Sequence, residues 1–247
     1  MSVLRVSNRS WQQAQAWVVE GSNKWRHLAY AYVSLLPGVS TVLRLLGRTQ
    51  IAGEDWNSWW ARQFDGYRVL PKTVDNYIEL GCGPYGNTRL IAADRTLKRV
   101  VCSDPLARHY IRLRHTWLSK QYRKAAILID DSPAEECPYA SSYFDMVVMI
   151  NVLDHVRDAR ACLAQAARIL KPGGHLVLGQ DLSNDQDEAR THFDVGHPIR
   201  LRLDDLGPYL LSYEPLFQRL LPREQGRNPD AHYATLVFIG VKAVTAP

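Results

Sequence analysis

Cysteine is scarce in this chain, and its spacing does not suit a disulfide framework or a thiolate metal site. The four cysteines lie far apart, with no Cys-x-x-Cys pair: Cys82, Cys102, Cys137 and Cys162. Isolated cysteines in apolar surroundings are typical of small buried side chains in a reducing compartment. We therefore expect no disulfide and no cysteine-bound metal.

The sequence also lacks an apolar run long enough to cross a bilayer. Its longest apolar stretch, residues 28–46, is interrupted by Pro37-Gly38 and Arg44. Residues 11–20 are polar and do not form the apolar core of a secretory signal. We therefore expect no transmembrane segment and a cytoplasmic location.

Composition favours one substantial globular core. The chain has 247 residues, of which 46% are hydrophobic and 22% charged, with a net charge of +5. That length suits a single domain with an elaboration. Residues 1–70 hold eight Lys or Arg and four Asp or Glu, which accounts for +4 of the net charge. This basic segment indicates either an anionic partner or an ordinary solvated surface.

From residue 73 onward, apolar β-rich runs alternate with helical patterns, which is typical of a parallel sheet covered on both faces. Strands are predicted at Asn76–Leu80, Val100–Ser103, Ala126–Ile129, Met146–Ile150, His175–Gln180, Leu216–Leu221 and Tyr233–Val241. Helices are predicted at Asn87–Ala93, Pro105–Gln121, Ala159–Leu170 and Leu203–Leu211. The pattern thus predicts an α/β fold.

The first predicted strand ends in a Gly-x-Gly-x-x-Gly turn formed by Gly81, Gly83 and Gly86. Glycines let a ligand approach the backbone, and the following helix presents unpaired N–H groups. Asp104 stands at the carboxyl end of the next predicted strand, where a carboxylate accepts hydrogen bonds from both hydroxyls of a ribose. The turn predicts a nucleotide cofactor, although it also fits the dinucleotide-binding folds.

Three further motifs narrow the choice. Glu79 precedes the first glycine by two residues, Asp154-His155 follows a buried run, and Lys171-Pro172-Gly173-Gly174 precedes another strand. With the glycine turn, they resemble the class I S-adenosylmethionine-dependent methyltransferases over residues 73–241. The resemblance implies a Rossmann-like, seven-stranded, mostly parallel sheet with an antiparallel C-terminal hairpin, and S-adenosylmethionine as cofactor.

The resemblance also implies the cofactor contacts. Glu79 is expected to lean toward the methionine end of the cofactor, a position that an anionic pyrophosphate would not tolerate. The cofactor-binding residues are expected to be Glu79, Gly81, Gly83, Asp104, Pro105, Ala134 and Asn151. Around Ala134, the adenine loop of the family would place an Asp where this chain has Pro133. Contact with adenine therefore falls to Asp131, Ser132 or the backbone.

Asp154 and His155 are the candidate catalytic residues. They occupy the place of a Glu-His pair in related small-molecule methyltransferases, where those side chains face the reacting centre. Because Asp154 is one methylene shorter than Glu, the role is not carried over directly. Either residue is a candidate general base for a hydroxyl nucleophile, and hydrogen bonding that fixes the loop is the alternative.

The candidate substrate-binding residues are His192, His197 and Trp59. The two histidines lie in the loop after the fifth predicted strand, a place that usually faces substrate. A divalent metal bound by Asp181 and this loop is an alternative, because some methyltransferases use a metal to lower the pKa of a hydroxyl. Without a ligand spacing, we predict no metal.

Residues 1–72 differ from the rest, because they contain six of the seven tryptophans and no convincing strand. Helices are predicted at residues 10–19, 24–35 and 54–64. We expect residues 1–72 to form a helical lid, and residues 73–247 to form the S-adenosylmethionine-binding methyltransferase domain. The apolar segments at residues 28–33 and 42–46 must be buried against that domain, a second subunit or a membrane surface. We expect a lid rather than a membrane anchor, and a homodimer contact is the alternative.

We expect O-methylation of a hydroxyl on a sugar, a glycan or a polar small molecule. Residues 55–67 look similar to a segment of methyltransferases from cell-surface polysaccharide clusters. An RNA methyltransferase is the alternative, since basic charge mixed with aromatic residues suits RNA, although nucleic acid is not the favoured partner. A second alternative is a noncatalytic partner subunit that binds the cofactor. An oxidoreductase of the short-chain type is not favoured, because Tyr-x-x-x-Lys is absent.

Overall fold

A computed structural model describes residues 54–244, apart from residues 115, 185, 186, 188–198, 228, 230 and 231. Elements are numbered over this part of the chain. The helices predicted at residues 10–19 and 24–35 lie outside the described residues, so the division at residue 72 stays a prediction. The helix predicted at residues 54–64 is present as α1, Glu54–Gln63.

Seven strands form one sheet in the order β3-β2-β1-β4-β5-β7-β6. They are β1 Thr73–Leu80, β2 Thr96–Ser103, β3 Leu128–Asp130, β4 Phe144–Ile150, β5 Leu170–Leu182, β6 Tyr213–Pro222 and β7 Ala234–Lys242. Strands β1 to β5 pair in parallel, and β7 runs antiparallel to both β5 and β6. The Rossmann-like sheet and its C-terminal antiparallel hairpin are confirmed.

Helices cover both faces of this sheet and divide the core into two clusters. Besides α1 they are α2 Thr88–Ile91, α3 Ala107–Tyr110, α4 Trp117–Arg123, α5 Ala159–Ile169 and α6 Leu203–Leu210. Apolar residues of α5 and α6 pack in one cluster with one face of the sheet, and those of α1 to α4 pack in the other. A parallel sheet buried on both faces explains why its strands read as nearly continuous apolar runs.

Helix α1 packs on the sheet through Trp60, which is 1% exposed. Its ring lies beside Gly179 of β5, where an added Cβ would come within 2.8 Å of a ring carbon. The absence of a side chain at Gly179 therefore makes room for the indole. This contact fixes α1 beside the carboxyl ends of the central strands.

The single helix predicted at Pro105–Gln121 is wrong, because the chain forms two short helices, α3 and α4. Between them Thr116 has an extended backbone, with ψ at 152°, and its Oγ1 accepts a hydrogen bond from the Ser119 amide at 3.1 Å. Thr116 is therefore the N-cap of α4. Threonine at such a position favours the start of a helix, since its hydroxyl satisfies an unpaired N–H group; α3 has already ended at Tyr110.

In the part of the chain that the structure describes, no helix combines the length and the apolar character needed to cross a bilayer. All four cysteine side chains are buried, and none of them forms a disulfide. Burial raises the pKa of Cys137 to about 12. These thiols are small core side chains, as the sequence predicts.

Candidate active site

The glycine turn after β1 is built on left-handed backbone. Gly81, Gly83 and Gly86 have φ of 68°, 56° and 53°, values that L side chains rarely adopt. A Cβ at Gly81 would lie 2.5 Å from a Val152 methyl carbon, whereas a Cβ at Gly83 would meet no atom within 4 Å. Gly81 is therefore needed for packing, and Gly83 leaves open space above the turn.

Glu79 stabilises the glycine turn through hydrogen bonds to the residues that follow it. Its side chain accepts hydrogen bonds from the amides of Asn87 and Thr88 at 2.7 and 2.9 Å, and from both of their side chains. The carboxylate thus meets the unpaired N–H groups at the start of α2. Burial raises the pKa of Glu79, and these hydrogen bonds oppose the shift. The direct cofactor contact expected of Glu79 stays a prediction.

Asp104 joins the end of β2 to the glycine turn. Its Oδ2 accepts a hydrogen bond from the Gly83 amide at 3.0 Å, and its Oδ1 accepts one from the Leu106 amide at 2.8 Å. Burial raises the pKa of Asp104, while the two amides and the charge of His155 lower it. The carboxylate is held at the place where the sequence predicts a ribose contact, and Pro105 follows it, half-buried.

A cleft of about 150 Å³ opens above the glycine turn. It is lined by Trp56, Asn57, Trp60, Gly81, Cys82, Gly83, Pro84, Tyr85, Gly86, Asn87, Ile150, Asn151 and Arg227. The cleft lies at the carboxyl ends of the parallel strands, the edge at which open α/β sheets bind ligands. It brings together Gly81, Gly83 and Asn151 of the predicted cofactor set.

The turn after β4 holds the candidate catalytic residues. Asn151 has a φ of 57°, and its buried Oδ1 has no hydrogen-bond partner among the described residues. His155 Nε2 lies 3.5 Å from Asn151 Nδ2 and 3.8 Å from Asp154 Oδ1. The Asp154 side chain is 6% exposed and that of His155 38% exposed. The imidazole is therefore the more accessible of the two candidate bases.

Asp130 and Asp131, at the end of β3 and the start of the predicted adenine loop, lie in different environments. Asp131 forms an ion pair with Arg108 on the surface, with 2.5 Å between Oδ2 and Nε. Asp130, at the end of β3, accepts a hydrogen bond from the Ser132 amide at 2.9 Å, and its buried Oδ2 has no partner among the described residues. Ala134 is buried in a 3-10 turn. Sequence reasoning missed Asp130. The available signal was its position as the last residue of a strand.

Of the predicted substrate-binding residues, Trp59 alone belongs to the described part of the chain, and it does not line the described cleft. Trp59 is half-buried against the core, beside Trp60, and the cleft is lined instead by Trp56 and Trp60. His192 and His197 lie outside the described residues. Within the described ranges, no three His, Cys, Asp or Glu side chains form a group suited to a metal ion.

Arg227 is a further site residue that sequence reasoning missed. It precedes β7, and its Nη2 donates to Oδ2 of the fully buried Asp181 at 3.1 Å. Its guanidinium carbon lies 4.1 Å from the centre of the Trp56 ring. The available signal was the polar loop at residues 222–232, which contains two arginines, Arg223 and Arg227, between two apolar runs.

The fold and the cleft define a nucleotide-cofactor protein of the Rossmann-like type, and comparisons with known proteins narrow that class. Residues 78–178 match the family described as "Methyltransferase domain". The N-methyltransferase NodS of Bradyrhizobium japonicum, in complex with S-adenosyl-L-homocysteine, matches with a TM-score of 0.54 and 19% identity, over 74% of this chain and 87% of NodS.

Two relatives by sequence are named as methyltransferases. The chain is 23% identical over 145 residues to the O-methyltransferase cnsE of Penicillium expansum, covering 57% of this chain and 52% of that protein. It is 39% identical over 56 residues to 27-O-demethylrifamycin SV methyltransferase of Amycolatopsis mediterranei, covering 23% of this chain and 21% of that protein. The matched regions thus span about half of the first relative and a fifth of the second.

The chain contains a methyltransferase domain with the fold of the class I S-adenosylmethionine-dependent methyltransferases. The resemblance drawn from the motifs is thereby confirmed.

Proposed function

We propose that this chain is an S-adenosylmethionine-dependent methyltransferase that acts on a hydroxyl of a sugar or a comparably polar small molecule. The observation that carries the proposal is the position of His155, whose Nε2 lies 3.5 Å from Nδ2 of the cleft residue Asn151 and 3.8 Å from Oδ1 of Asp154. The relatives named O-methyltransferase cnsE and 27-O-demethylrifamycin SV methyltransferase support a hydroxyl acceptor. The fold itself does not select the acceptor atom, since NodS is named as an N-methyltransferase.

The residues of the cleft, together with Asp104 bonded to the turn beside it, fit the cofactor. Gly83 leaves open space above the turn, Asp104 presents a carboxylate at the end of β2, and the Oδ1 of Asn151 has no partner among the described residues. A ribose would be held by Asp104 and an ammonium group by Asn151, because both residues offer oxygen acceptors. When bound, S-adenosylmethionine supplies an electrophilic methyl group on a sulfonium.

Within this site, His155 accepts the proton of the hydroxyl nucleophile. Its side chain is 38% exposed, whereas that of Asp154 is 6% exposed. Asp154 Oδ1 lies 3.8 Å from His155 Nε2, so its charge stabilises the imidazolium that forms. Asn151 helps to position the ring, because its Nδ2 lies 3.5 Å from the same Nε2.

A screen of methyl acceptors tests the proposed function. Release of S-adenosylhomocysteine is measured with the purified full chain and matched sugars, phenols, amines and bulk RNA. We expect turnover with hydroxyl acceptors, and a loss of 10²–10⁴-fold in kcat in His155→Ala. The loss of kcat in Asp154→Asn should be smaller, and its pH profile should not shift toward basic pH. Turnover confined to amines or RNA would contradict the proposal.

We also propose that the protein works in the cytoplasm. The four buried cysteines without a disulfide support a reducing compartment. Localisation of the tagged full chain by cell fractionation tests this assignment.

A further inference from the structure

We propose that Arg227 binds an anionic group of the methyl acceptor, so that the substrate carries a carboxylate or phosphate besides its reactive hydroxyl. This inference rests on the proposed function, because it assigns the chemistry of the acceptor in the same cleft. Arg227 is the one charged side chain among the described residues that line the cleft. An anion entering there meets one guanidinium and no carboxylate of the lining.

The guanidinium is held in place from two sides. The side chain of Asp181 is 0% exposed, and its Oδ2 accepts one hydrogen bond, from Nη2 of Arg227. The other oxygen of Asp181 accepts a hydrogen bond from Thr235 at 2.7 Å. Trp56 lies 4.1 Å from the guanidinium carbon, at cation–π distance. These contacts fix the position of the charge before a ligand binds.

Donors of Arg227 are left for a ligand. Guanidinium has five N–H groups in a planar fork that matches the oxygens of a carboxylate or phosphate. Among the described residues, its hydrogen bond goes to Asp181 alone and uses Nη2. The pairing with Asp181 is therefore a single contact rather than a fork, and Nε and Nη1 donate to no described residue.

The position of Arg227 relative to the strands of the sheet indicates that its ligand is the acceptor and not the cofactor. Asp104 stands at the end of β2 and Asn151 follows β4, which places the cofactor across β2, β1 and β4. Asp181 belongs to β5, the next strand beyond β4, and it anchors Arg227 there. A group bound by Arg227 thus lies on the far side of the methyl donor from the ribose.

Anion binding to the protein saturated with S-adenosylhomocysteine tests this assignment without turnover. The probes are inorganic phosphate and acetate, with acetamide as the neutral match to acetate. The indole N–H signal of Trp56, identified by its loss in Trp56→Phe, reports binding next to Arg227. We expect a saturable shift with both anions and none with acetamide.

Arg227→Gln should weaken the binding of both anions about tenfold or more, since charge-assisted hydrogen bonds are lost. Arg62→Gln is the matched control, because Arg62 is exposed on α1 and does not line the cleft. Since Arg227→Gln leaves Asp181 buried without its cation, the double variant Asp181→Asn/Arg227→Gln provides the same test in a neutral background. Equal anion binding in the wild type and in these variants would overturn the proposal.

A second arm separates the acceptor from the cofactor. The affinities of S-adenosylhomocysteine and its decarboxylated analogue are compared in the wild type and in Arg227→Gln. We expect the same ratio of affinities in both proteins, because Arg227 serves the acceptor. A ratio that collapses in Arg227→Gln would overturn the proposal by assigning Arg227 to the carboxylate of the cofactor. Anion binding without turnover of any hydroxyl acceptor would count against the proposed function alone.

Discussion

At the residue scale, Asp104 is the side chain on which we expect cofactor binding to depend most. Its carboxylate oxygens already accept hydrogen bonds from the amides of Gly83 and Leu106, so the group is fixed before a ribose arrives. Asp104→Asn removes the charge and should weaken binding of S-adenosylhomocysteine by about 1.5–3 kcal/mol, roughly 10–100-fold. Titration calorimetry measures the change.

The control for this variant is Asp75→Asn, which removes an exposed carboxylate paired with Lys98 near the start of β1. That substitution should leave the affinity unchanged. Equal affinities in the wild type, Asp104→Asn and Asp75→Asn would remove Asp104 from the cofactor site.

Glu79 predicts a pH dependence of stability. Burial raises its folded-state pKa above the value near 4.3 expected in the unfolded chain. The folded protein therefore holds the proton more tightly, so the contribution of this group is present below the unfolded pKa and is lost as pH rises through the folded pKa. Glu79→Gln does not titrate there.

Urea unfolding across a series of pH values measures this effect. The free energy of unfolding of the wild type minus that of Glu79→Gln should fall as pH rises from about 4 to 7. A difference that grows over the same range would show that the hydrogen bonds from Asn87 and Thr88 outweigh burial.

At the scale of elements, two glycines of the same turn have different roles: Gly81 is needed for packing, and Gly83 is expected to be needed for cofactor binding. A side chain at Gly81 meets both an unfavourable φ and Val152 at 2.5 Å, so Gly81→Ala should lower the free energy of unfolding by about 2–4 kcal/mol. Gly83→Ala meets no atom and should cost only about 1–2 kcal/mol. Its methyl group points into open space at the cleft, so cofactor affinity should fall more than stability does.

Denaturant unfolding and calorimetry on the same variants check this separation. Val152→Ala should recover part of the stability lost in Gly81→Ala, because it removes the methyl carbons that clash. A Gly83→Ala protein that binds S-adenosylhomocysteine normally would contradict a cofactor position above the turn.

The elements also show what the sequence was able to predict. The strands were predictable because a sheet buried on both faces requires continuous apolar runs. The separation of α3 from α4 was not predicted, because it depends on the end of α3 at Tyr110 and on the backbone geometry of the cap at Thr116, which the sequence pattern does not show. Asp104 and Asn151 followed from strand ends, whereas the contact of Trp56 with Arg227 joins positions far apart in the chain and exists only in the folded cleft.

At the scale of the whole molecule, residues 1–72 are predicted to cover the cleft. In the described part of this segment, α1 contributes Trp56, Asn57 and Trp60 to the cleft lining. Deleting residues 1–50 removes the apolar segments at residues 28–33 and 42–46 and leaves α1 in place. We expect loss of methyl transfer and aggregation of the remainder, because an apolar face is uncovered.

Size-exclusion chromatography and an activity assay on the truncated chain check this prediction, and the same chromatogram of the full chain shows whether it forms a homodimer. A truncated protein that stays monodisperse and keeps full activity would show that residues 1–50 are not a lid.

The most direct test of the central claim is a crystal structure of the full chain with S-adenosylhomocysteine. We predict ligand density across the carboxyl ends of β2, β1 and β4, with the ribose hydroxyls at Asp104 and the homocysteine beside Gly83 and Asn151. The sulfur should face His155. Density elsewhere on the protein, or a ribose away from Asp104, would contradict the account.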